Sequence, residues 1–418
     1  MQLIPTLRRL AALLVLFAGG LDSCAFARPA PPAEVLLRAG EGSYHTYRIP
    51  ASVVVRNGVI VLLLEGRKDA QDDFAAIDLL CLRSLDGGRT WSRPQVVYTE
   101  GAMSARISIG NPCPVYDAET GRLWCGFTKD NQQVYVTYSD DAGATWARPR
   151  EITRDVRPFQ WTRYWTGPGH GLQLRQGSKK GRLILPSYHM LLEARDGGHS
   201  TVFAMRSHMV YSDDHGQTWK IGASTQLSPE LDTPESRFSG KWIPGESTWH
   251  GCEGMAEELT DGRVYLTIRN QVGTGGAKAE AFSSDGGETW TPVKLQPQLP
   301  DPRCQAGLVR WTEPGRPGKA LFVYTGITTD TRAAIQRFQP IEGLAGRQRL
   351  AAYVSSDDCR TWREAGVVFA GASAYSDLVV LPDGNILCFF EGGEKAPYES
   401  IRMARLGSDW LGGKRPSD

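Results

Sequence analysis

A small group of charged and phenolic side chains stands at matching places in the chain, next to short strand-like segments. The group consists of Arg48, Glu253, Arg269, Arg347, Tyr375, Glu391 and one aspartate from among Asp69, Asp72 and Asp73. Arginine suits the binding of a carboxylate, because its planar guanidinium pairs with both oxygens and stays charged. Tyrosine and the acidic residues can act as nucleophile, base or acid. If these side chains converge, they would bind a carboxylate-bearing molecule and act on it.

Each of these residues taken alone is better explained as part of a weak surface ion pair. The chemical interpretation therefore depends on the elements that position them. Two repeated patterns, one around a tryptophan and one around a glycine, allow these elements to be placed.

The first pattern is S-x-D-x-G-x-T-W, which we call the box. Its five copies begin at Ser84, Ser139, Ser212, Ser283 and Ser355. In each, the aspartate can accept backbone N–H bonds, the glycine supplies a positive φ, and the tryptophan buries a large ring. Each box follows a strand-like run, which predicts a hairpin turn. In the fifth copy Cys359 replaces the glycine, which predicts either a distorted turn there or a wrong assignment of this copy.

The second pattern is a tight turn ending in glycine that leads into an apolar strand. Its six copies are Asn57-Gly58, Thr120-Gly121, Lys180-Gly181, Asp261-Gly262, Pro317-Gly318 and Asp383-Gly384. These are hairpin signals. Combined with the boxes they define a unit of four antiparallel strands, which is one propeller blade.

Six glycine turns but five boxes indicate how the ring closes. The sixth unit ends after the strand SIRMARL, so its fourth strand must come from EVLLRAG (Glu34–Gly40) near the N-terminus. Closure of this kind removes free sheet edges. The sequence thus predicts an all-β, six-bladed β-propeller over residues 34–410, with little helix. The glycine turns and boxes share one face, and the group of candidate residues gathers on the other.

The chain resembles an exo-α-sialidase (neuraminidase) of the bacterial and animal type, from about Glu34 to Leu406. The resemblance depends on the segment Tyr47-Arg48-Ile49-Pro50 (YRIP) together with the boxes. Boxes alone are weak evidence, because they also occur in propellers without this activity. YRIP with the other candidate residues in register is far more specific.

The resemblance implies a binding role for the arginines. Arg48, Arg269 and Arg347 match the triad that binds the sialic acid carboxylate, and Glu391 matches the glutamate that holds the first arginine in place. Arg67 matches a further arginine of the pocket.

The resemblance also implies the catalytic residues: Tyr375 as nucleophile, Glu253 as its partner and Asp72 as acid/base. A neutral phenol avoids the repulsion that a carboxylate nucleophile would meet at an anomeric carbon bearing a carboxylate, and a tyrosine nucleophile is the known exception among glycosidases. Since a phenol with a pKa near 10 is a poor nucleophile, an adjacent glutamate base would activate it. Asp69 or Asp73 could be the acid instead of Asp72.

The base and the aromatic residues near the site also have more than one interpretation. Glu257 and Glu258 compete with Glu253, although they lie nearer the glycine turn. The segment FQWTRYWTGPGHG contains aromatic residues that either line a sugar pocket or pack in the core, and a histidine expected to be structural or a polar contact. These residues are Trp161, Tyr164, Trp165 and His170.

The N-terminus predicts export. Arg8 and Arg9 precede an apolar run, and Ala25-Phe26-Ala27 forms a cleavage site, so residues 1–27 read as a signal peptide of a secreted or periplasmic protein. Cys24 lies in a loose lipoprotein box, which leaves a lipid anchor possible there. Cys113 and Cys125 flank a short hairpin and form the one candidate disulfide.

The expected function is a retaining exo-α-sialidase acting on sialylated oligosaccharides, glycoproteins or glycolipids through a tyrosyl intermediate, without metal or cofactor. The net charge of +1 with dispersed charges gives no reason to expect nucleic acid, and the apolar run at the N-terminus is too short to span a membrane. A glycan-binding propeller that has lost catalysis is the rival class. A trans-sialidase, or a hydrolase of deaminated sialic acids, would share every residue named.

Overall fold

The computed structural model describes residues 28–195, 200–228, 247–271, 276–312, 314, 320–328 and 347–412. The predicted signal peptide with Cys24, and the Pro317-Gly318 turn, lie outside these residues. The described chain is an all-β fold in which four sheets have a propeller-like arrangement.

The first two repeats are separate four-stranded antiparallel sheets. The first described strand is β1 (Ala33–Arg38), which belongs to the last sheet. The first repeat contains β2 (Thr46–Val54), β3 (Ile60–Arg67), β4 (Ile77–Ser84) and β5 (Gln95–Tyr98). The second contains β6 (Ile109–Asp117), β7 (Arg122–Lys129), β8 (Gln133–Ser139) and β9 (Arg150–Glu151).

The next two repeats share a nine-stranded sheet. The third repeat contains β11 (Leu172–Gln173), β12 (Leu183–Arg195), β13 (Ser200–Ser212) and β14 (Lys220–Ile221), and the unpredicted β10 (Trp161–Thr166) pairs with the distal part of β12. The fourth contains β15 (Ser247–Glu258), β16 (Val264–Asn270), β17 (Ala277–Ser283) and β18 (Lys294–Pro300). The two repeats join because β13 pairs in parallel with the start of β15.

The last sheet has seven strands and contains both the first and the last strand of the described residues. Its strands after β18 are β19 (Gly307–Thr312), β20 (Ala320–Ile327), β21 (Gln348–Ser355), β22 (Arg363–Val380), β23 (Ile386–Gly393) and β24 (Ser400–Leu406). The long β22 serves two repeats, because its first half pairs with β21 and its second half with β23. β1 pairs antiparallel with β24, from Ala33 opposite Ala404 to Arg38 opposite Ser400, which confirms the predicted pairing of the N-terminal strand.

Helix is scarce in the described residues. The α-helices are α1 (Thr153–Val156) and α2 (Ser408–Gly412), and single 3-10 turns span Arg56–Gly58, Met103–Ala105 and Gly177–Lys179. None of the described helices is long and apolar enough to cross a membrane.

The hydrophobic cores lie between successive repeats. One core joins Leu62 of the first repeat to Phe389 of the last, and others join each repeat to the next in chain order. The box tryptophans belong to these cores: the Trp91 ring meets Phe389 edge-on, with centroids 5.5 Å apart, and Trp219 meets Trp124 at 5.9 Å. Each box therefore fastens its repeat to a neighbour, as large buried rings do.

The boxes have one geometry. In the first, the N–H and hydroxyl of Thr90 donate to Asp86 at 2.9 and 2.6 Å, and the N–H of Gly88 donates to Ser84 Oγ at 2.8 Å. The fifth box keeps these bonds, with the N–H of Cys359 donating to Ser355 Oγ at 3.0 Å although Cys359 has a φ of 64°. The predicted distortion is therefore wrong, because the box hydrogen bonds hold the cysteine in the left-handed region.

The predicted Cys113–Cys125 disulfide is also wrong, since both are free, buried thiols. Cys113 lies opposite Gly126 on β6 and β7, one residue out of register with Cys125. Side chains alternate along a strand, so the two sulfurs point to opposite faces of the sheet. Cys113 belongs to the core towards the third repeat and Cys125 to the core towards the first.

Candidate active site

The candidate site lies where β-bulges interrupt four strands, which are β2, β6, β15 and β22. The pairing register slips between Arg48 and Ala51, between Gly110 and Cys113, between Gly251 and Gly254, and between Ser373 and Ser376. A bulge adds one unpaired residue and re-aims the side chains around it. Glu253 and Tyr375 lie inside two of these bulges, and Ile49, with φ 60°, lies inside a third. The site is at the strand ends opposite the boxes, since Thr46 and Arg67 pair at the end of β2 and β3 away from their hairpin.

Arg48 and Glu391 form a buried bidentate pair. Arg48 Nε and Nη2 donate to the two oxygens of Glu391 at 2.9 and 3.1 Å. Glu391 also accepts the backbone N–H groups of Ile49 at 2.9 Å and Tyr375 at 3.1 Å. Glu391 is fully buried and Arg48 nearly so. Burial opposes the charge on Arg48, but the Glu391 carboxylate raises its pKa well above the usual value, so the guanidinium stays charged.

Tyr375, Glu253 and Arg269 form a closed triangle. The Tyr375 hydroxyl donates to Glu253 Oε1 in a short hydrogen bond. Arg269 Nη1 donates to Glu253 Oε2 at 2.8 Å and to the Tyr375 oxygen at 2.7 Å, and Arg269 Nε has no hydrogen-bond partner among the described residues. Burial raises the pKa of the Tyr375 phenol well above 10, and Glu253 raises it further against the opposing effect of Arg269. The phenol is therefore protonated and has a base within contact.

Arg347 completes the arginines around Tyr375. Its Nη2 donates to the carbonyl of Arg303 at 2.5 Å and its Nη1 to the Tyr398 hydroxyl at 3.2 Å, and its Cζ lies 5.8 Å from the centre of the Tyr375 ring. Arg48 Cζ lies 3.8 Å from the centre of the Tyr398 ring. Tyr398 thus contacts two of the cations. The sequence prediction did not include it, although its loop between β23 and β24 opens on the same face.

Arg67 lies beside the site in a second ion-pair cluster. It donates twice to Glu65 Oε2, at 2.9 and 2.7 Å, and to Asp73 Oδ1 at 2.8 Å. Glu65 is buried, and its other oxygen accepts the N–H of Asn111 at 2.8 Å. A Cβ at Gly110 would lie 2.4 Å from that oxygen, so this contact requires glycine. Glu65 is a site residue to which the sequence pattern assigned no role.

The three aspartates after Arg67 have different surroundings. Asp72 is half-exposed, accepts the N–H of Phe74 at 2.9 Å and receives Arg106 Nη2 at 3.0 Å. Asp69 accepts the N–H of Ala76 at 2.9 Å. Asp73 lines a pocket together with Glu253 and Tyr375, and its Oδ1 lies 3.5 Å from Arg48 Nη1. Desolvation opposes ionisation of Asp73, but Arg67 and Arg48 hold its pKa below the usual value.

The aromatic residues of the third repeat divide between pocket and core. Trp165 and Tyr188 line the pocket together with Tyr375, and their rings stack with centroids 4.7 Å apart. Trp161 and Tyr164 belong to the core towards the second repeat, where Trp161 stacks on His189 at 3.4 Å. The sugar-pocket interpretation therefore fits Trp165, and the packing interpretation fits Trp161 and Tyr164.

The two glutamates that compete with Glu253 lie away from the phenol. Glu257 accepts the N–H of Arg310 at 2.8 Å, and Glu258 accepts the N–H of Arg175 at 2.9 Å. His170 makes the expected polar contact, with Nδ1 2.7 Å from Asp377 Oδ1. The described residues contain no cluster of three or more His, Cys, Asp and Glu side chains that could hold a metal ion.

Comparison with known proteins identifies the family. The model of the BNR repeat-like domain matches residues 65–388. The chain is 30% identical to a sialidase of Micromonospora viridifaciens over 90% of its own length and 53% of that protein, so it spans about half of that relative. It is 28% identical to mouse sialidase-3, over 88% of its own length and 93% of the mouse chain.

Solved structures agree on the fold. A Hadza microbial sialidase superposes with a TM-score of 0.70 at 23% identity, over 89% of this chain and 68% of that one. Together these matches define the class as BNR-repeat β-proteins of the propeller-like type. The chain belongs to the sialidase family.

Proposed function

We propose that the chain is a retaining exo-α-sialidase that hydrolyses terminal sialic acids from oligosaccharides, glycoproteins or glycolipids. The observation that carries this proposal is the Tyr375 hydroxyl, which donates to Glu253 while three arginines surround the same phenol ring. Arginines and a base around one tyrosine suit a substrate whose reacting carbon bears a carboxylate.

Arg48, Arg269 and Arg347 would bind the substrate carboxylate. Arg48 is fixed by Glu391 and Arg347 by the Arg303 carbonyl, so little side-chain entropy remains to be lost on binding. Arg269 Nε, buried without a partner among the described residues, is a donor that a substrate oxygen would satisfy.

Tyr375 would attack the anomeric carbon while its proton passes to Glu253, and the aryl glycoside formed is the covalent intermediate. The bond from the anomeric carbon to the leaving oxygen breaks as that oxygen takes a proton from the acid/base aspartate. Water then attacks the same carbon, giving its proton to that aspartate, and the Tyr375 oxygen leaves and regains its proton from Glu253. Two displacements give net retention.

Asp72 is the proposed acid/base. Asp73 is the alternative that contacts the pocket directly, but two arginines hold its pKa low, which makes it a poor proton donor. Asp72 makes no contact with Arg67 or Arg48 among the described residues, and its partner Arg106, at 3.0 Å, is an exposed side chain.

The architecture proposed for this site is a closed six-bladed propeller. It is supported by the hydrophobic cores that link each repeat to the next, including the one that links the last repeat to the first. Residues 1–27 are proposed to direct export, giving a secreted or periplasmic enzyme, with a lipid anchor at Cys24 as the alternative.

A direct test is release of the fluorophore from an aryl α-sialoside by the purified protein. We expect turnover by the wild type and a large loss in Tyr375→Phe and in Arg48→Ala. An inactive wild type, or unchanged turnover in these variants, would contradict the proposal. Binding of sialosides without turnover would favour the glycan-binding class.

The covalent step has its own test. Nuclear magnetic resonance of the first product should show the α-anomer, and a fluorinated sialic acid should add its mass to the peptide that contains Tyr375. A first product of β configuration would refute the retaining mechanism. Resolving the products from a panel of sialosides would separate hydrolysis from transfer and N-acetylated from deaminated substrates.

A further inference from the structure

A lysine and an aspartate are buried together behind the arginines, and the proposed chemistry uses neither of them. Lys278 is 2% exposed and Asp301 is 1% exposed. Lys278 Nζ lies 3.3 Å from Asp301 Oδ2 and also donates to the carbonyl of Cys304. Lysine is rarely buried to this extent, and then only with a partner. Burying an ion pair is itself costly, so stability alone is a weak reason for it.

The two oxygens of Asp301 hold two different segments of the chain. Oδ2 accepts the N–H of Asn270, the residue after Arg269, at 2.6 Å. Oδ1 accepts the N–H of Cys304 at 2.9 Å. Arg303 lies in the segment 301–304, which the bond from Cys304 to Asp301 closes into a turn, and its carbonyl accepts Arg347 Nη2 at 2.5 Å. One carboxylate therefore fixes the backbone next to one arginine and the turn that orients another.

We infer that Asp301, neutralised by Lys278, is a positioning residue that sets the separation of Arg269 and Arg347 for a carboxylate ligand. The two arginines come from different repeats, and their like charges oppose close approach. A carboxylate spans only a short distance between its oxygens, so binding by two separate cations depends on their spacing. This inference rests on the proposed function, because it assigns the carboxylate to these arginines.

The first variant is Asp301→Asn. An amide has one acceptor oxygen where the carboxylate has two, so one of the N–H groups of Asn270 and Cys304 loses its partner, and Lys278 is left buried and uncompensated. The second variant, Asp301→Asn combined with Lys278→Met, removes the charge imbalance but not the lost bond. A purely structural pair would be repaired in the double variant, whereas a positioning pair would not.

The measurement is the ratio of two affinities, determined by calorimetry on the full chain. The ligands are a 2,3-unsaturated sialic acid and its carboxamide, which differ only in the group that the arginines bind. We expect the wild type to bind the carboxylate more tightly than the carboxamide. In both variants this ratio of affinities should fall by about tenfold, which is the effect expected when a buried hydrogen bond is broken. For the hydrolysed substrate we expect a higher KM with a smaller change in kcat.

The matched control is Asp213→Asn at the opposite end of the strands, where Asp213 pairs at 2.7 Å with the buried Arg182. This variant should lower thermal stability and leave the affinity ratio unchanged. If the Asp301 variants behave like the control, or if the double variant regains the ratio, the inference is overturned. A wild type that binds with the expected preference but does not turn over substrate would refute the proposed function and not the positioning role.

Discussion

The Tyr375 hydroxyl donates to Glu253, which lies 122 positions earlier in the chain. Arg269 donates both to a Glu253 oxygen and to the Tyr375 oxygen. The arginine pairs with the carboxylate of the proposed base, and it also donates to the oxygen of the proposed nucleophile. One cation thus contacts both the proposed base and the proposed nucleophile.

Glu253→Gln should remove the base and keep the shape of the triangle. We expect kcat to fall by about 10²- to 10⁴-fold with little change in KM, because proton transfer and not binding is lost. Steady-state kinetics on an aryl sialoside measures this. Glu257→Gln is the control, since Glu257 lies on the same strand but bonds to Arg310. Equal losses in the two variants would contradict the assignment of the base.

Glu391→Gln should affect stability and binding together. Glu391 accepts four donors, and an amide cannot replace the charge that compensates the buried Arg48. We expect a free energy of unfolding lower by about 3 kcal/mol and kcat/KM lower by about 100-fold. Thermal unfolding and kinetics test the two parts.

The control for Glu391 is Asp117→Asn near the boxes, where a fully buried carboxylate accepts several donors, including Thr120 Oγ1 at 2.7 Å. It should lose stability and keep kcat/KM. A Glu391 variant that loses stability alone would show that Arg48 does not need this partner to bind substrate.

Asp72→Asn and Asp73→Asn should separate the acid/base from its neighbour. Loss of the acid slows release of a poor leaving group far more than release of an activated aryl group. We therefore expect Asp72→Asn to reduce turnover of a sialyl disaccharide by about 10²-fold or more and to spare the aryl sialoside. Asp73→Asn should mainly change KM, because Asp73 contacts Arg67 and Arg48. The reverse pattern would assign the acid to Asp73.

His170 should make stability depend on pH. Burial lowers its pKa, but the Asp377 carboxylate at 2.7 Å outweighs this and raises it, with Glu257 adding to the effect and Arg175 opposing it. The stabilisation is then complete below the unfolded pKa of about 6.5 and is lost as the pH rises through the higher folded value. Melting temperatures above about pH 6.5 should fall in the wild type and change less in His170→Gln. Parallel curves for the two proteins would contradict the pairing.

The spacing of the boxes and glycine turns predicts the repeats, and it also predicts that the candidate residues lie on one face of the fold. The boxes and glycine turns fix which strand ends share a face, and Arg48, Glu253, Arg269, Arg347, Tyr375 and Glu391 do converge there. The pairing of β1 with β24 follows from the unmatched sixth glycine turn.

Features that depend on local backbone distortion were not predictable in this way. The bulges that contain Glu253, Tyr375 and Ile49 have no clear signature in the sequence. Ile49 has a φ of 60°, although isoleucine is a residue type that avoids this region. Tyr398 lies outside the repeated pattern, because it stands in the loop between the second and third strands of its repeat, which opens on the same face. Glu65 stands near the end of a second strand, where the pattern does point, but nothing in the sequence shows that its carboxylate pairs with Arg67 two residues later. The disulfide prediction failed because closeness in the chain does not show which face of a sheet a side chain occupies.

The pairing of β1 with β24 and the pair between Arg48 and Glu391 lie at the same junction, between the earliest and the latest parts of the fold. During synthesis the ribosome makes Arg48 long before Glu391, which is 343 residues later. A growing chain, or one that terminates early, cannot assemble the pair. Catalytic activity would therefore appear only after the last strands have been made. Fragments released before that point would be inactive.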